Sequence, residues 1–276
     1  MTDMQRQSLK ARPSVPSSDP EVPRIADVGR RGFSLVELLA VVVIILVLLS
    51  LLMPILKNAK LNGQRTVCLS NLGVLGKGFV QYPMANDGAL MTTLPGGNAS
   101  DWVRGGAGTQ VIRDGALWPY VRELRVYRCP AHPFQSFDRH FSWNDMINGW
   151  EYKDGSGNPM RWTKISQVTL PTKTMALLDD IDPRGAGWLV GNWLLSLGSP
   201  YRYVDPVSAW HNQGMNLNFM DGHAEYWKWQ DSRTWGMVTE SSLNNMSAFF
   251  HYDPGSVDWL RLRRAVNPGS ALYPPP

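Results

Sequence analysis

The chain has 276 residues, 43% of them apolar and 18% charged, a balance that excludes global disorder. Of its 27 basic residues six lie within the first 32, and beyond them 21 Lys/Arg stand against 19 Asp/Glu. The formal charge of +4 therefore forms no concentrated basic patch, and nucleic-acid binding is set aside. Twelve Trp and nine Tyr promise a core dominated by aromatic rings.

Residues 1–32 are polar and rich in Pro, Ser and charge, and read as a flexible cytoplasmic leader. From Phe33 to Met53 the chain is almost wholly apolar, with Glu37 as its one charge. Those residues, at 1.5 Å each, span about 31 Å as a helix, the thickness of a bilayer core. A buried core helix would seldom be this long, and a secretory signal would be shorter and followed by small residues rather than Leu51-Leu52-Met53-Pro54. Residues 33–53 thus predict a single transmembrane helix. Arg30 and Arg31 immediately before it put the N-terminus in the cytoplasm and the bulk of the chain in the periplasm.

After Pro54 the pattern turns amphipathic. Leu61, Cys68, Leu72, Leu75, Phe79 and Tyr82 recur at helical spacing, so residues 54–82 predict a helix with one apolar stripe. Gly63, Gly73, Gly76 and Gly78 weaken it by something like 1 kcal/mol each, so packing must hold it. Tyr82-Pro83 and Asn86-Asp87-Gly88 end it.

Residues 83–276 read as an α+β domain of short strands and loops, the long helix packing on an antiparallel sheet. Leu124–Arg128 alternates like a strand, Gly155–Pro159 is a loop, and Met175–Leu178 is an apolar strand opening into Asp179, Asp180 and Asp182. In Met215–Trp229, Asp221-Gly222 suits a two-residue type I′ turn, pairing Phe219 with Ala224 and Leu217 with Tyr226 as a core face.

Gly32-Phe33-Ser34-Leu35-Val36-Glu37-Leu38-Leu39, preceded by arginines and followed by Pro54, resembles the type IV prepilin and type II secretion pseudopilin signature position by position. The resemblance implies cleavage after Gly32 by a prepilin peptidase, N-methylation of Phe33, and pairing of Glu37 with the Phe33 amine of a neighbouring subunit. A carboxylate in a membrane helix costs roughly 2.5–3.5 kcal/mol at mid-helix, so a partner for Glu37 is also expected on physical grounds. His211, Asp221 and Gly222 fit the His, nine residues, Asp-Gly motif of prepilin-like proteins abundant in planctomycetes. Arg65–Leu72, Leu117–Tyr120 and Arg128-Cys129-Pro130 look like the same family.

The chemistry-bearing residues suggest less. Asp179, Asp180 and Asp182 are the residues a calcium ion would use, but they lack EF-hand spacing, and no metal or other cofactor is expected. The turn accounts for Asp221 and Gly222, leaving His211 and His223 no metal role. Outside the cytoplasm Cys68 and Cys129 can form a disulfide, with two buried free thiols as the alternative. There is no Gly-x-Ser-x-Gly, no HExxH and no phosphate-binding glycine loop, so no enzyme is expected. Two functions lead: a pseudopilin-like subunit that assembles with other pilin subunits through its helix, or a single-pass anchored module that binds a glycan, protein or calcium without polymerising; an anchored hydrolase, with only absence of motif against it, ranks last.

Overall fold

The computed structural model describes residues 32–151, 153, 157, 160–180, 191–195, 202–238 and 251–268. The predicted leader, apart from Gly32, thus lies outside the described residues, as does all of the Gly155–Pro159 loop except Gly157. The chain divides into two units, Met1–Ser50 and Leu51–Pro276. One continuous helix, α1 (Leu35–Ala85), begins in the first and ends in the second.

In the first unit, α1 opens on a reciprocal cap. Ser34 N–H donates to Glu37 Oε2 at 2.9 Å, and Glu37 N–H donates to Ser34 Oγ at 3.2 Å. Two of the orphan amides of the helix start are so satisfied. Beyond this cap the side chains are apolar on every face, with a window of mean hydropathy 3.2 that has no buried share. α1 is, among the described residues, the one helix long and apolar enough to cross a membrane.

In the second unit, α1 carries Pro54 and Pro83 within its length and buries Cys68, Leu72, Leu75, Gly76, Gly78, Phe79 and Pro83. The helix outlasts Tyr82 by three residues because Pro83 sits in the last turn, and Gly88 N–H then returns to Pro83 O at 2.8 Å. Asp87 and Gly88, at φ 50° and 75°, make the left-handed exit that a helix end favours.

The sheet has the order β3-β1-β2-β4-β5, from β1 (Phe141–Asn144), β2 (Met175–Asp179), β3 (Asn192–Trp193), β4 (Gly214–Phe219) and β5 (Ala224–Lys228). It is mixed: β1 and β3 run parallel, and the other pairs are antiparallel. Short helices α2 (Thr109–Arg113) and α3 (Ser232–Gly236) lie in the connections, and α4 (Val257–Val266) closes the described chain.

Alternation along the strands gives each face of the sheet its own helix. Toward α1 point Trp143, stacked on Phe79 at 4.6 Å, Asn216, donating to Arg65 O at 3.2 Å, and Tyr226, under the Arg65 guanidinium at 4.4 Å. Toward α4 point Asn144, donating to Val266 O at 2.9 Å, and Trp227, under Arg261 at 3.7 Å. Ser256 caps α4, and buried Asp258 accepts the amides of Gln230 and Asp231, docking that helix behind β5. Both faces covered explains why all six residues of β4 are buried, asparagines included.

Two sequence expectations fail here for local reasons. Leu124–Tyr127 is a 3-10 turn, not a strand: Glu123 accepts the Arg125 amide, and Val126 and Tyr127 turn inward one after the other. The β4–β5 hairpin exists, but its register is shifted by one, pairing Asn218 with Ala224 and Leu217 with Glu225. Gly222 is left-handed at φ 90° and Asp221 is not, which rules out type I′. Gly222 N–H instead bonds Phe219 O at 2.9 Å, as in a type I turn followed by a glycine bulge.

The helix glycines divide into two kinds. A Cβ on Gly76 would lie 2.3 Å from Asn218 Nδ2, and one on Gly78 2.3 Å from Val121 Cγ2, whereas Gly63 has nothing within 4 Å. Asn218 cannot yield freely, because its amide donates to Gly222 O and His223 O at 3.0 and 2.8 Å. Gly76→Ala is therefore expected to destabilise by roughly 1–3 kcal/mol through overpacking. Gly63→Ala is expected to stabilise by up to about 1 kcal/mol through helix propensity. Urea unfolding followed by Trp fluorescence reads both, since every Trp lies beyond residue 100.

Candidate functional site

The first candidate region is the start of α1. Gly32 has nothing within 4 Å of an added Cβ and no left-handed backbone, so the fold places no demand for glycine there. Phe33 is 72% exposed. Glu37, the lone charge of the apolar run, is held by Ser34 and not by a basic group. Its carboxylate lies one residue from the amine that cleavage after Gly32 would create.

The second region is a cluster that the sequence scatters over 144 positions. Cys68 projects from α1, Cys129 from the loop after the 3-10 turn, Asp179 from the end of β2, and His211 from the segment before β4. One donor atom from each lies within 4.8 Å of all the others, and all four residues are fully buried. Cys68 Sγ donates to Asp179 Oδ1 at 2.9 Å. His211 Nε2 stands 3.2 Å from Asp179 Oδ2 and 3.3 Å from Cys129 Sγ. Both cysteines are free thiols here.

Supporting bonds aim these groups. Asn216 N–H donates to Asp179 Oδ2 at 3.0 Å. The Cys129 loop is tied to α1 by Asn71, donating to Arg128 O, and Gln64, donating to Pro130 O, each at 2.9 Å. Cys129 N–H donates to His140 Nδ1 at 2.9 Å. Burial raises the Cys68 thiol well above its ordinary range. Burial would raise Cys129 too, but hydrogen bonds from Cys68 and His211 bring it down to about 7. For His211 burial lowers the pKa, and the bonds to Asp179 and Cys129 overcome that, raising it to about 9.

This is not a nucleophilic relay. Such a relay sets the two ring nitrogens of its histidine on different partners, and here Cys129 and Asp179 share Nε2.

The remaining sequence candidates separate. Asp179 and Asp180 do not converge: Asp179 faces α1, while Asp180 accepts the Ser142 hydroxyl at 2.5 Å from the other face. Asp182 lies outside the described residues. His223 is at the hairpin tip, 2.5 Å from Asp221 and stacked on Phe219, away from His211. His211, Asp221 and Gly222 nonetheless form one structural unit. His211 ends in the cluster beside Cys68, and Gly222 lies against Gly76 and Val80 of the same helix. The ten residues between them carry β4 between two anchor points eight helix positions, or about 12 Å, apart.

Residues 28–53 match the family model of the prokaryotic N-terminal methylation motif. No curated protein and no solved structure matches the chain. The matched segment runs into the exposed apolar part of α1 and includes Gly32, Phe33 and Glu37. On that segment and the helix that carries it, the chain is prepilin-like and membrane-anchored.

Proposed function

We propose that the chain is a pseudopilin-like structural subunit. A prepilin peptidase cleaves it after Gly32, Phe33 is N-methylated, and the mature protein assembles with other pilin subunits through α1 in a type II secretion or type IV pilus-like system. Before assembly it sits once in the cytoplasmic membrane, N-terminus inside and α+β domain in the periplasm, as Arg30 and Arg31 favour. Its work is assembly, not turnover, and its His211–Gly222 unit is the His, nine residues, Asp-Gly motif of the planctomycete type.

The observation that carries this reading is the methylation motif at the head of a helix whose one apolar-segment charge is Glu37. An anchor needs only a helix cap there, which an uncharged Gln also makes, so the charge itself calls for a partner. In the precursor the carboxylate is occupied by the Ser34 cap, an arrangement that needs no second chain. Cleavage supplies a cationic amine that a neighbour's Glu37 can neutralise in a medium where each bare charge is costly.

Glu37→Ala should therefore insert and be processed to the same mature length, yet be lost from sheared surface fibres or cross-linked oligomers. Fibres at the wild-type level from Glu37→Ala would show assembly without the charge pair, whereas a wild-type chain absent from fibres and cross-linked oligomers would favour the non-polymerising anchored module.

A further inference from the structure

We propose that Cys68, Cys129, Asp179 and His211 bind one zinc ion, which fastens the assembly helix to the sheet domain. The donor set is two sulfurs, one imidazole nitrogen and one carboxylate oxygen, one from each of four separate segments. Zinc takes these donors at about 2.3 Å for sulfur and 2.0–2.2 Å for nitrogen and oxygen, in tetrahedral array. Tetrahedral edges of those bonds are about 3.3–3.8 Å. Cys68 Sγ stands 2.9 Å from Asp179 Oδ1, and His211 Nε2 stands 3.2 Å from Asp179 Oδ2 and 3.3 Å from Cys129 Sγ; within the 4.8 Å envelope, shifts of up to about 1 Å bring the four donors to those edges. Thiolates disfavour calcium and magnesium, which prefer all-oxygen shells.

Two further features suit a structural metal. Two of the donors are already oriented by surrounding groups, with Asn216 N–H on Asp179 and the Cys129 loop held by Gln64, Asn71 and His140. The cluster also contains a fully buried carboxylate whose one basic neighbour within hydrogen-bonding reach, among the described residues, is His211. A divalent cation takes over from the His211 proton as the countercharge to that group. Access exists: a surface cleft lined by Val67, Asn71, Arg128, Pro130 and Gln135 reaches Cys129.

Binding is coordination without redox change. The two thiol protons, and the imidazole proton on Nε2, leave to solvent as the lone pairs of Sγ, Sγ and Nε2 turn to the ion. The consequence is mechanical. α1, the loop after the 3-10 turn, β2 and the segment before β4 become one cross-linked junction, in the place where a disulfide would join only α1 and the loop.

The test uses the full-length chain, purified in detergent under exclusion of air and without chelator. Elemental analysis should return about one zinc per chain, falling to background in Cys129→Ser and in His211→Gln. Because those variants can fail to fold, cobalt(II) added to the metal-stripped wild-type chain gives an independent readout. It should produce sulfur-to-metal charge-transfer absorption and the intense visible bands of tetrahedral cobalt, with one equivalent saturating both. A chain with no zinc and no cobalt spectrum, carrying two alkylatable thiols, would overturn the proposal in favour of a hydrogen-bonded cluster. A chain lighter by two hydrogens, with Cys68 and Cys129 in one cross-linked peptide pair, would overturn it in favour of the disulfide.

Discussion

Gly32→Glu is expected to leave only the unprocessed precursor in the membrane, retaining all 32 leader residues, while the folded domain is unaffected. The separation of effects follows from the structure. Gly32 is free of neighbours within 4 Å of an added Cβ, and its backbone is not left-handed, so the substitution strains nothing in the fold. What it alters is the residue preceding the proposed scissile bond, which a peptidase would have to seat closely. Immunoblots of membranes should show one slower band for Gly32→Glu and the wild-type band for Glu37→Ala. Urea midpoints of the two proteins should coincide, because Trp fluorescence reports a domain that neither residue touches. Full processing of Gly32→Glu would place the cleavage site elsewhere.

The second large effect is expected at the buried cluster. His211→Ala removes the group that faces Asp179 Oδ2 at 3.2 Å and leaves a fully buried carboxylate without its basic partner. Stranding one member of such a pair costs about 3–5 kcal/mol, a large part of a typical domain's stability. In the metal-stripped chain, combining His211→Ala with Asp179→Asn should recover part of that loss, since the charge that had to be compensated is gone. Urea unfolding of the four proteins of the cycle checks this. Additive losses would mean that the two residues act independently.

Sequence reveals most where one local rule decides the outcome. The apolar run from Phe33, the amphipathic stripe from Cys68 to Phe79, and strand β2 are all legible from spacing alone. The Asp221-Gly222 pair announces a hairpin but leaves its register open, because a type I turn with a glycine bulge accepts the same two residues as type I′. Leu124–Tyr127 misleads because alternation over four residues is too short to separate a strand from a 3-10 turn. The Ser34 to Glu37 spacing of a capping box is present in the sequence and explains the helix start, yet the demand for a charge partner overshadows it.

The cluster is a harder case. Cys68 on the helix stripe and Cys129 at the end of the Leu124–Arg128 run suggest two of its members as neighbours. Asp179 is read there with Asp180, although adjacent residues at a strand end point to opposite faces, and only the pairing of β2 with β4 brings Asp179 under α1. His211 stands out in the sequence only as the start of a motif, and its partners are long-range. One signal was available: each of the four residues sits in or beside a segment that resembles the same family or ends a legible strand, and three of the four are soft or borderline metal donors. Convergence of those segments still depends on the topology of the sheet, which spacing does not encode.

The most direct test of the account is the N-terminus of the protein in its native membrane. N-terminal peptide analysis by mass spectrometry should find a mature chain that begins at Phe33 and carries one methyl group on its α-amine. A chain that keeps its leader, or one cut beyond Pro54, would contradict the prepilin reading and leave α1 as an ordinary anchor.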